Sequence, residues 1–330
     1  MRQPNFWAHR NVFVTGATGF LGRWVVAELN RGGANVVGLV RDGSRGERDS
    51  AGAGSACSNI VFGCLEDQGL LLRAINEYEI DTVFHLGAQP IVSVANRNPS
   101  STFEANIRGS WNLLEACRLV ATVRRIVVAS SDKAYGAQPV LPYDESMPLQ
   151  GMHPYDVSKS CTDLIAQTYH HTYQTPVCIT RCGNFFGGGD LNFSRIVPGT
   201  IRSVLAGEAP VIRSDGKMIR DYVYVRDVAS FYLHLAQAMD DRSLHGHAFN
   251  YSTESQLSVL DITRMILRLA GREDLEPVVL NETKGEIAHQ YLSAAKARSR
   301  LAWSPRVSIE QGLAETIDWY RAYWGGTRTP

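Results

Sequence analysis

Tyr155 and Lys159 stand four residues apart in Tyr155-Asp156-Val157-Ser158-Lys159, a spacing that sets both side chains on one face of a helix. An ammonium beside a phenol favours the phenolate, so this pair could act as a general base near neutral pH. Ahead of them, Ser130-Ser131 ends an apolar run and Asp132-Lys133 follows at once, placing a hydroxyl, an acid and an amine in consecutive positions. Nearer the N-terminus, Gly16, Gly19 and Gly22 recur at every third position of Thr15-Gly16-Ala17-Thr18-Gly19-Phe20-Leu21-Gly22. Such glycines let the backbone turn tightly and let a pyrophosphate reach the amides at a helix N-terminus. The pattern also asks for an acid about 20 residues on, to hold an adenosine ribose. Arg41 and Asp42 occupy that stretch. Asp42 suits the ribose of NAD and Arg41 the phosphate of NADP, and the residues leave the choice open.

These groups need a scaffold, and the hydrophobic pattern describes one. Val12–Val14, Val36–Val40, Ile60–Phe62, Thr82–Leu86, Arg125–Ala129 and Val177–Thr180 are short apolar runs that read as buried strands. Between them lie helical patterns, from Trp24 through Leu29, Leu70 to Tyr78, Phe103 to Leu119 and Tyr155 to Tyr173. Asp42 to Ser58, rich in Gly, Ser and Ala, reads as a mobile surface loop. Alternating strands and helices predict an α/β fold, a doubly wound parallel sheet of Rossmann type with a smaller C-terminal substrate-binding lobe. The expected division gives residues 1–186 to the dinucleotide-binding domain, with 220–247 returning to it. Residues 187–219 and 248–330 form the lobe. Further helices are expected over Val197–Leu205, Val228–Met239, Ser258–Leu269 and Ile309–Tyr323, with a strand over Tyr222–Val225.

Composition sets the outer bounds. Lys plus Arg total 33 and Asp plus Glu 33, so no net charge points to nucleic acid or an anionic membrane as partner. No run approaches the ~18 apolar residues of a membrane helix, and no apolar run follows the first residues as in a secretory signal. The cysteines, Cys57, Cys64, Cys117, Cys161, Cys178 and Cys182, form no CxxC pair and no zinc spacing. They read as reduced, small hydrophobes, with a cytoplasmic location and no metal expected.

Taken together, the glycine turn, His85-Leu86-Gly87-Ala88-Gln89, Asn106 with Gly109, Ser130 to Gly136, Tyr155 to Lys159, Arg181 to Gly189 and Arg220 to Asp227 resemble the extended short-chain dehydrogenase/reductase family, the nucleotide-sugar epimerases and dehydratases. The resemblance spans essentially the whole chain. It implies a catalytic triad of Ser131, Tyr155 and Lys159. It implies NAD, with NADP still possible, held by Gly16, Thr18, Gly19, Phe20, Leu21, Gly22, Arg41, Asp42, Cys64, Leu65, Leu86, Gly87, Ala88, Tyr155 and Lys159. A nucleotide-sugar substrate would be met by Gln89, Asn106, Asn184, Arg195 and Arg220, arginine because its rigid fork matches phosphate oxygens. Asn106 could instead be a helix residue bonded to backbone. Gly187–Gly189 would lie beside the sugar nucleotide. Two helices, Phe103–Leu119 and Tyr155–Tyr173, would pair with a second copy in a homodimer.

Asp132 and Lys133 decide the subclass. Epimerases of this family usually carry small or neutral residues there, whereas dehydratases need an added acid and base. The Asp-Lys pair resembles the CDP-glucose 4,6-dehydratases. So do Phe6-Trp7, Gln89-Pro90, Gly187-Gly188-Gly189-Asp190, Arg195-Ile196-Val197-Pro198 and the run from Glu286 to Tyr291. The departures are Arg220-Asp221-Tyr222 in place of Arg-Pro-Trp, Cys64 in place of the aspartate that contacts adenine, and Gly87 in place of alanine. The implied reaction oxidises C4 of an NDP-hexose through Tyr155 and the nicotinamide. Lys133 then removes the C5 proton, Asp132 protonates the departing C6 hydroxyl, and hydride returns to C6. The alternatives are a 4-epimerase, a UDP-glucuronate decarboxylase whose carboxylate contact would be Lys133 or Arg181, and a non-catalytic NAD(P)-sensing protein.

Overall fold

The computed structural model describes residues 5–41, 57–282 and 287–325. Asp42, most of the expected Asp42–Ser58 loop and Glu286 lie outside them. Six strands pair in parallel, β1 (Asn11–Thr15), β2 (Asn35–Val40), β3 (Asn59–Phe62), β4 (Thr82–His85), β5 (Arg125–Ala129) and β6 (Val177–Cys182). With Ala248–Tyr251 they form a seven-stranded sheet whose order is Ala248–Tyr251, β6, β5, β4, β1, β2, β3. The strands are apolar on both faces because helices cover both. Their side chains, such as Phe13, Val83, Ile126 and Ile179, join Leu113, Leu114 and Ala166 from the covering helices in one core. The chain runs outward from β1 in one direction and then from β4 in the other. The loops after β1 and β4 therefore flank a switch point, where open α/β sheets bind ligands.

The chain divides into two compact units. The first holds Met1–Gly136, Glu145–Arg181 and Ala229–Asn250; the second holds Ala137–Asp144, Cys182–Val228 and Tyr251–Pro330. Two placements differ from the sequence reading. Ala248–Tyr251, read as the start of the lobe, is a buried strand of the large sheet, hydrogen-bonded at its start through His247 O to the Ile179 amide at 3.0 Å. Residues 220–228, read as returning to the first domain, belong to the second unit, because Ile219–Tyr224 is the centre of a separate sheet, paired with Asn184–Phe186, Gln256–Ser258 and His289–Gln290. Among the described residues no helix is long and apolar enough to cross a membrane.

The continuous helix expected over Phe103–Leu119 is built in three pieces: Pro99–Phe103, a π-helical turn at Glu104–Arg108, and Gly109–Leu119. The Pro154–Tyr173 helix starts with proline in its first turn, where the ring preorganises the backbone. It ends at Gln174, whose left-handed conformation turns the chain into β6.

Candidate active site

The glycine turn sits at the switch point. Helix Phe20–Arg31 buries Leu21, Gly22, Val25, Val26 and Leu29 against the sheet, and its N-cap, Gly19, makes no side-chain cap bond. First-turn amides have no acceptor within their own helix, so they face outward for an anion. A Cβ on Gly22 would meet Gly16 O at 2.0 Å, and one on Gly16 would meet Gly87 N at 2.8 Å. Bare backbone from the loops after β1 and β4 is thus pressed together, a cradle that fits a dinucleotide. Thr18 O accepts from Arg23 Nε at 2.9 Å, fixing the turn. Leu65 is buried below, its carbonyl accepting from Asn112 Nδ2 at 3.1 Å. Gly109 allows this packing, since a Cβ there would meet Leu65 Cβ at 2.6 Å. Cys64, Leu86, Gly87 and Ala88 are half-buried on the same rim, and Arg41 is exposed at the end of β2.

The residues expected to be catalytic lie on two neighbouring elements. Ser131, Asp132 and Lys133 share a tight turn, Asp132–Tyr135, at the end of β5. Ser131 Oγ donates to Asp132 Oδ1 at 3.0 Å and accepts from the Lys133 amide at 3.2 Å. Ser131 and Asp132 are buried, and Lys133 is half-buried. The Pro154–Tyr173 helix packs on this turn through Ser160, whose Oγ donates to Ala134 O at 2.8 Å. Lys159, inside that helix, reaches back to β5 and donates from Nζ to Ala129 O at 2.8 Å. Burial lowers its pKa to about 8, with the charge of Asp163 working in the opposite direction. Asp156, beside Tyr155, is raised by burial. It lies in the field of Lys133, which opposes that shift, and of Asp132, which adds to it. Asp132, Lys133 and the start of the Pro154–Tyr173 helix thus share one electrostatic field.

Asn106 lies in the π-helical turn and is 1% exposed. Its Oδ1 accepts from the Gln89 amide at 2.7 Å, and its Nδ2 donates to Gln89 O at 3.1 Å and to Ser158 Oγ at 2.9 Å. Ser158 Oγ in turn donates to Tyr155 O at 2.7 Å. Every polar atom of Asn106 is spent on protein. These bonds tie the Gln89 loop to the Pro154–Tyr173 helix and favour the reading of Asn106 as a residue bonded within the protein over that of a substrate contact. Gln89 Oε1 accepts from the Ile91 amide at 2.7 Å, which shapes that loop.

Three further polar residues meet here to which the motifs gave no role, although Thr15 and His85 open two of those motifs. His85 pairs with Thr15 across β4 and β1, and its ring lies between Thr15 Oγ1 and Ser110 Oγ, 2.9 Å from each. Burial and then the charge of Lys159 lower its pKa to about 3, so it stays neutral. Thr15 Oγ1 also accepts from the Leu86 and Gly87 amides at 3.1 and 3.0 Å, joining the two loops of the switch point. Their signal in the sequence is small: polar side chains at positions where the apolar rhythm demands burial.

The second unit holds the remaining expected contacts. Asn184 is exposed on a short strand that runs parallel to Ile219–Tyr224. Arg220 is buried, with Nη1 donating to Ile219 O at 2.9 Å and to Ala288 O at 3.3 Å. Arg195 donates from Nη1 to Asp190 Oδ2 at 2.9 Å. Gly187 and Gly188, expected with Gly189 beside the sugar nucleotide, have a packing reason of their own. A Cβ on Gly187 would meet Val225 Cγ1 at 2.3 Å, and one on Gly188 would meet Trp319 Cγ at 2.4 Å, so these glycines admit protein side chains.

Fold and cradle define a dinucleotide-binding protein of Rossmann type. The chain belongs to the NAD dependent epimerase/dehydratase family, which it matches over residues 12–251. It is 30% identical to the CDP-glucose 4,6-dehydratase of Salmonella typhimurium, over 99% of this chain and 94% of that one. Among solved structures it resembles a UDP-glucose 4-epimerase from Thermotoga maritima, with a TM-score of 0.84 at 28% identity, covering 95% of this chain and 99% of that one. It also resembles a dTDP-glucose 4,6-dehydratase from Streptomyces venezuelae solved with NAD bound, with a TM-score of 0.81 at 28% identity, covering 96% and 100%.

Proposed function

We propose that the protein is a nucleotide-sugar 4,6-dehydratase that uses NAD and favours CDP-glucose. The observation that carries this reading is the buried turn in which Ser131, Asp132 and Lys133 stand together under the Tyr155–Lys159 helix. A 4-epimerase has no use for an added acid and amine there. The CDP preference is supported by the 30% identity to a CDP-glucose 4,6-dehydratase over nearly the full length of both chains.

Gly16, Gly19, Gly22, Leu65 and Gly87, together with Tyr155 and Lys159, would hold NAD, which would supply the hydride acceptor and donor of the reaction. Tyr155 takes the proton of the C4 hydroxyl, its phenolate favoured by the Lys159 ammonium. Ser131 holds the oxygen at C4 by hydrogen bonding. With a ketone at C4 the C5 proton is acidic, and Lys133 Nζ removes it as the free amine. Asp132, as the acid, gives its proton to the C6 oxygen, which leaves as water. Lys133 returns its proton to C5 as C6 takes back the hydride, and Tyr155 releases to solvent a proton equal to the one that Asp132 takes up, which restores all three groups.

Arg181 bears on the decarboxylase alternative. Its Nε and Nη2 donate to both oxygens of Asp163 at 2.8 and 2.9 Å, and the side chain is 3% exposed. It has no reach to a substrate carboxylate. We also propose a cytoplasmic homodimer. Trp111, Leu119, Leu164 and Tyr173, on the two helices expected to pair, are 42, 52, 51 and 54% exposed.

The test is product mass after incubation with CDP-, UDP-, dTDP- and GDP-hexoses and with UDP-glucuronate. Loss of one water, greatest with CDP-glucose, is the expected result. An isomer of unchanged mass would make the protein an epimerase, and loss of carbon dioxide a decarboxylase.

A further inference from the structure

Arg181 and Tyr135 have no part in the chemistry just described, yet both are enclosed close to it, at 3% and 0% exposure. Arg181 sits near the end of β6 and Tyr135 ends the turn that carries Asp132 and Lys133; Tyr135 is fully buried. Arg181 Nη1 donates to Tyr135 Oη at 2.9 Å, and its guanidinium carbon lies 4.8 Å from the centre of the tyrosine ring. Tyr135 Oη donates onward to Asn250 Oδ1 at 2.7 Å, and the Asn250 amide donates to Glu145 Oε1 at 2.7 Å. On its other side Arg181 grips Asp163 with two hydrogen bonds. Asp163 is fully buried and lies one helical turn beyond Lys159 on the same helix. Burial works against the guanidinium charge, but the bonds to Asp163 outweigh it and hold Arg181 protonated.

We propose that Arg181 and Tyr135 are positioning residues that lock the Asp132–Lys133 turn to the Tyr155–Lys159 helix, so that water elimination keeps pace with oxidation at C4. Arg181 touches both carriers, the helix through Asp163 and the turn through Tyr135, and none of the reacting groups. The guanidinium fork fixes distance and angle together. Buried ion pairs contribute little net stability compared with apolar packing, while they specify one geometry over its neighbours. Oxidation at C4 draws on Tyr155 and Lys159, and elimination draws on Asp132 and Lys133. A slip of about 1 Å between the two carriers would leave the first step intact and slow the second, by ~10- to 100-fold.

The inference rests on the dehydratase reading, and its test separates the two. Tyr135→Phe keeps the ring under the guanidinium and removes only the hydroxyl that joins Arg181 to Asn250. Arg181→Lys keeps a cation beside Asp163 but loses the fork. In both variants KM for CDP-glucose should stay within about twofold of wild type, while water loss slows ~10- to 100-fold. Reduced nicotinamide, which wild type would not accumulate, should build up during turnover. The double variant should be no slower than the slower single one, because the two changes break one connection. In the cofactor-free protein, hydrogen exchange should speed up at the amides of residues 132–136 in each variant. Slower turnover without reduced nicotinamide, wild-type turnover, or unchanged exchange at those amides would each overturn the positioning role. Should wild type release no water from any nucleotide hexose, the dehydratase reading fails instead. Exchange in the cofactor-free variants then still decides whether the lock exists.

Discussion

Replacing Asn106 by Ala tests which of two roles this residue has. The side chain is 1% exposed and makes three hydrogen bonds, two to the Gln89 backbone and one to Ser158 Oγ. At ~1 kcal/mol net per bond, with some added cost for the Gln89 amide left without its acceptor, Asn106→Ala should lose about 3–4 kcal/mol. Asn106→Asp is the sharper probe. It keeps an acceptor for the Gln89 amide but turns a carboxylate oxygen toward Gln89 O and toward Ser158 Oγ, whose proton is already given to Tyr155 O at 2.7 Å. Its loss should be at least as large, and larger as pH rises and the carboxyl ionises. The assay is urea unfolding of each variant, read beside KM for the nucleotide sugar. Lower unfolding midpoints, with KM within a few-fold of wild type and kcat reduced as the start of the catalytic helix loosens, are the expected results. An unchanged midpoint with a steeply raised KM would refute this reasoning and return Asn106 to the substrate.

Further outcomes follow from other parts of the site. Lys133→Met should abolish water elimination while cofactor binding, measured by fluorescence titration, persists; wild-type water loss would show that Lys133 is not the base. Lys159 ties activity and stability to pH in opposite directions. Its folded pKa of about 8 lies below the ordinary 10.5, so burial of the ammonium weighs fully against folding below about pH 8. Between about 8 and 10.5 the unfolded chain holds a proton that the folded one has released, so this group makes stability rise with pH there, by up to ~3 kcal/mol. Activity should fall as pH rises through about 8, where the folded protein loses the ammonium that supports Tyr155, and a pH profile read beside urea midpoints checks both. Gly22→Ala places a methyl 2.0 Å from Gly16 O, forces the glycine turn to shift, and should weaken NAD binding, measured by calorimetry. Leu164→Glu, at a site 51% exposed, should convert a dimer to monomer in gel filtration, and a wild-type protein already eluting as a monomer would remove the dimer proposal.

The parts of the fold that were legible from sequence are those whose apolar rhythm is long or uniform. Arg125–Ala129 and the span from Tyr155 to Tyr173 were read almost to the residue, since an unbroken β-branched run and a 20-residue amphipathic helix admit few alternatives. Ala248–Tyr251 was missed as a strand because four residues carry no period of their own; the neighbouring β6 makes them extended. The three-piece build of 99–119 was likewise invisible, because the π-helical turn that carries Asn106 breaks the helix without breaking its hydrophobicity. In the candidate site, the glycine turn and the Ser131 and Tyr155 segments follow from local spacing. Partners that decide what a side chain can do come from far along the chain. Asp163 and Tyr135 engage Arg181 from 18 and 46 residues away, and no local pattern announces either.

The interleaved path of the chain bears on how the protein is made. The first unit ends with Ala229–Asn250, so its sheet lacks an edge strand until 250 residues have been synthesised. By then Cys182–Val228, a large part of the second unit, has already emerged. A fragment stopped near residue 186 would leave the apolar β6 as an uncovered sheet edge, open to pairing with another nascent chain. The nucleotide-binding half is therefore not separable by a single cut. It matures only after the ribosome has produced much of its neighbour.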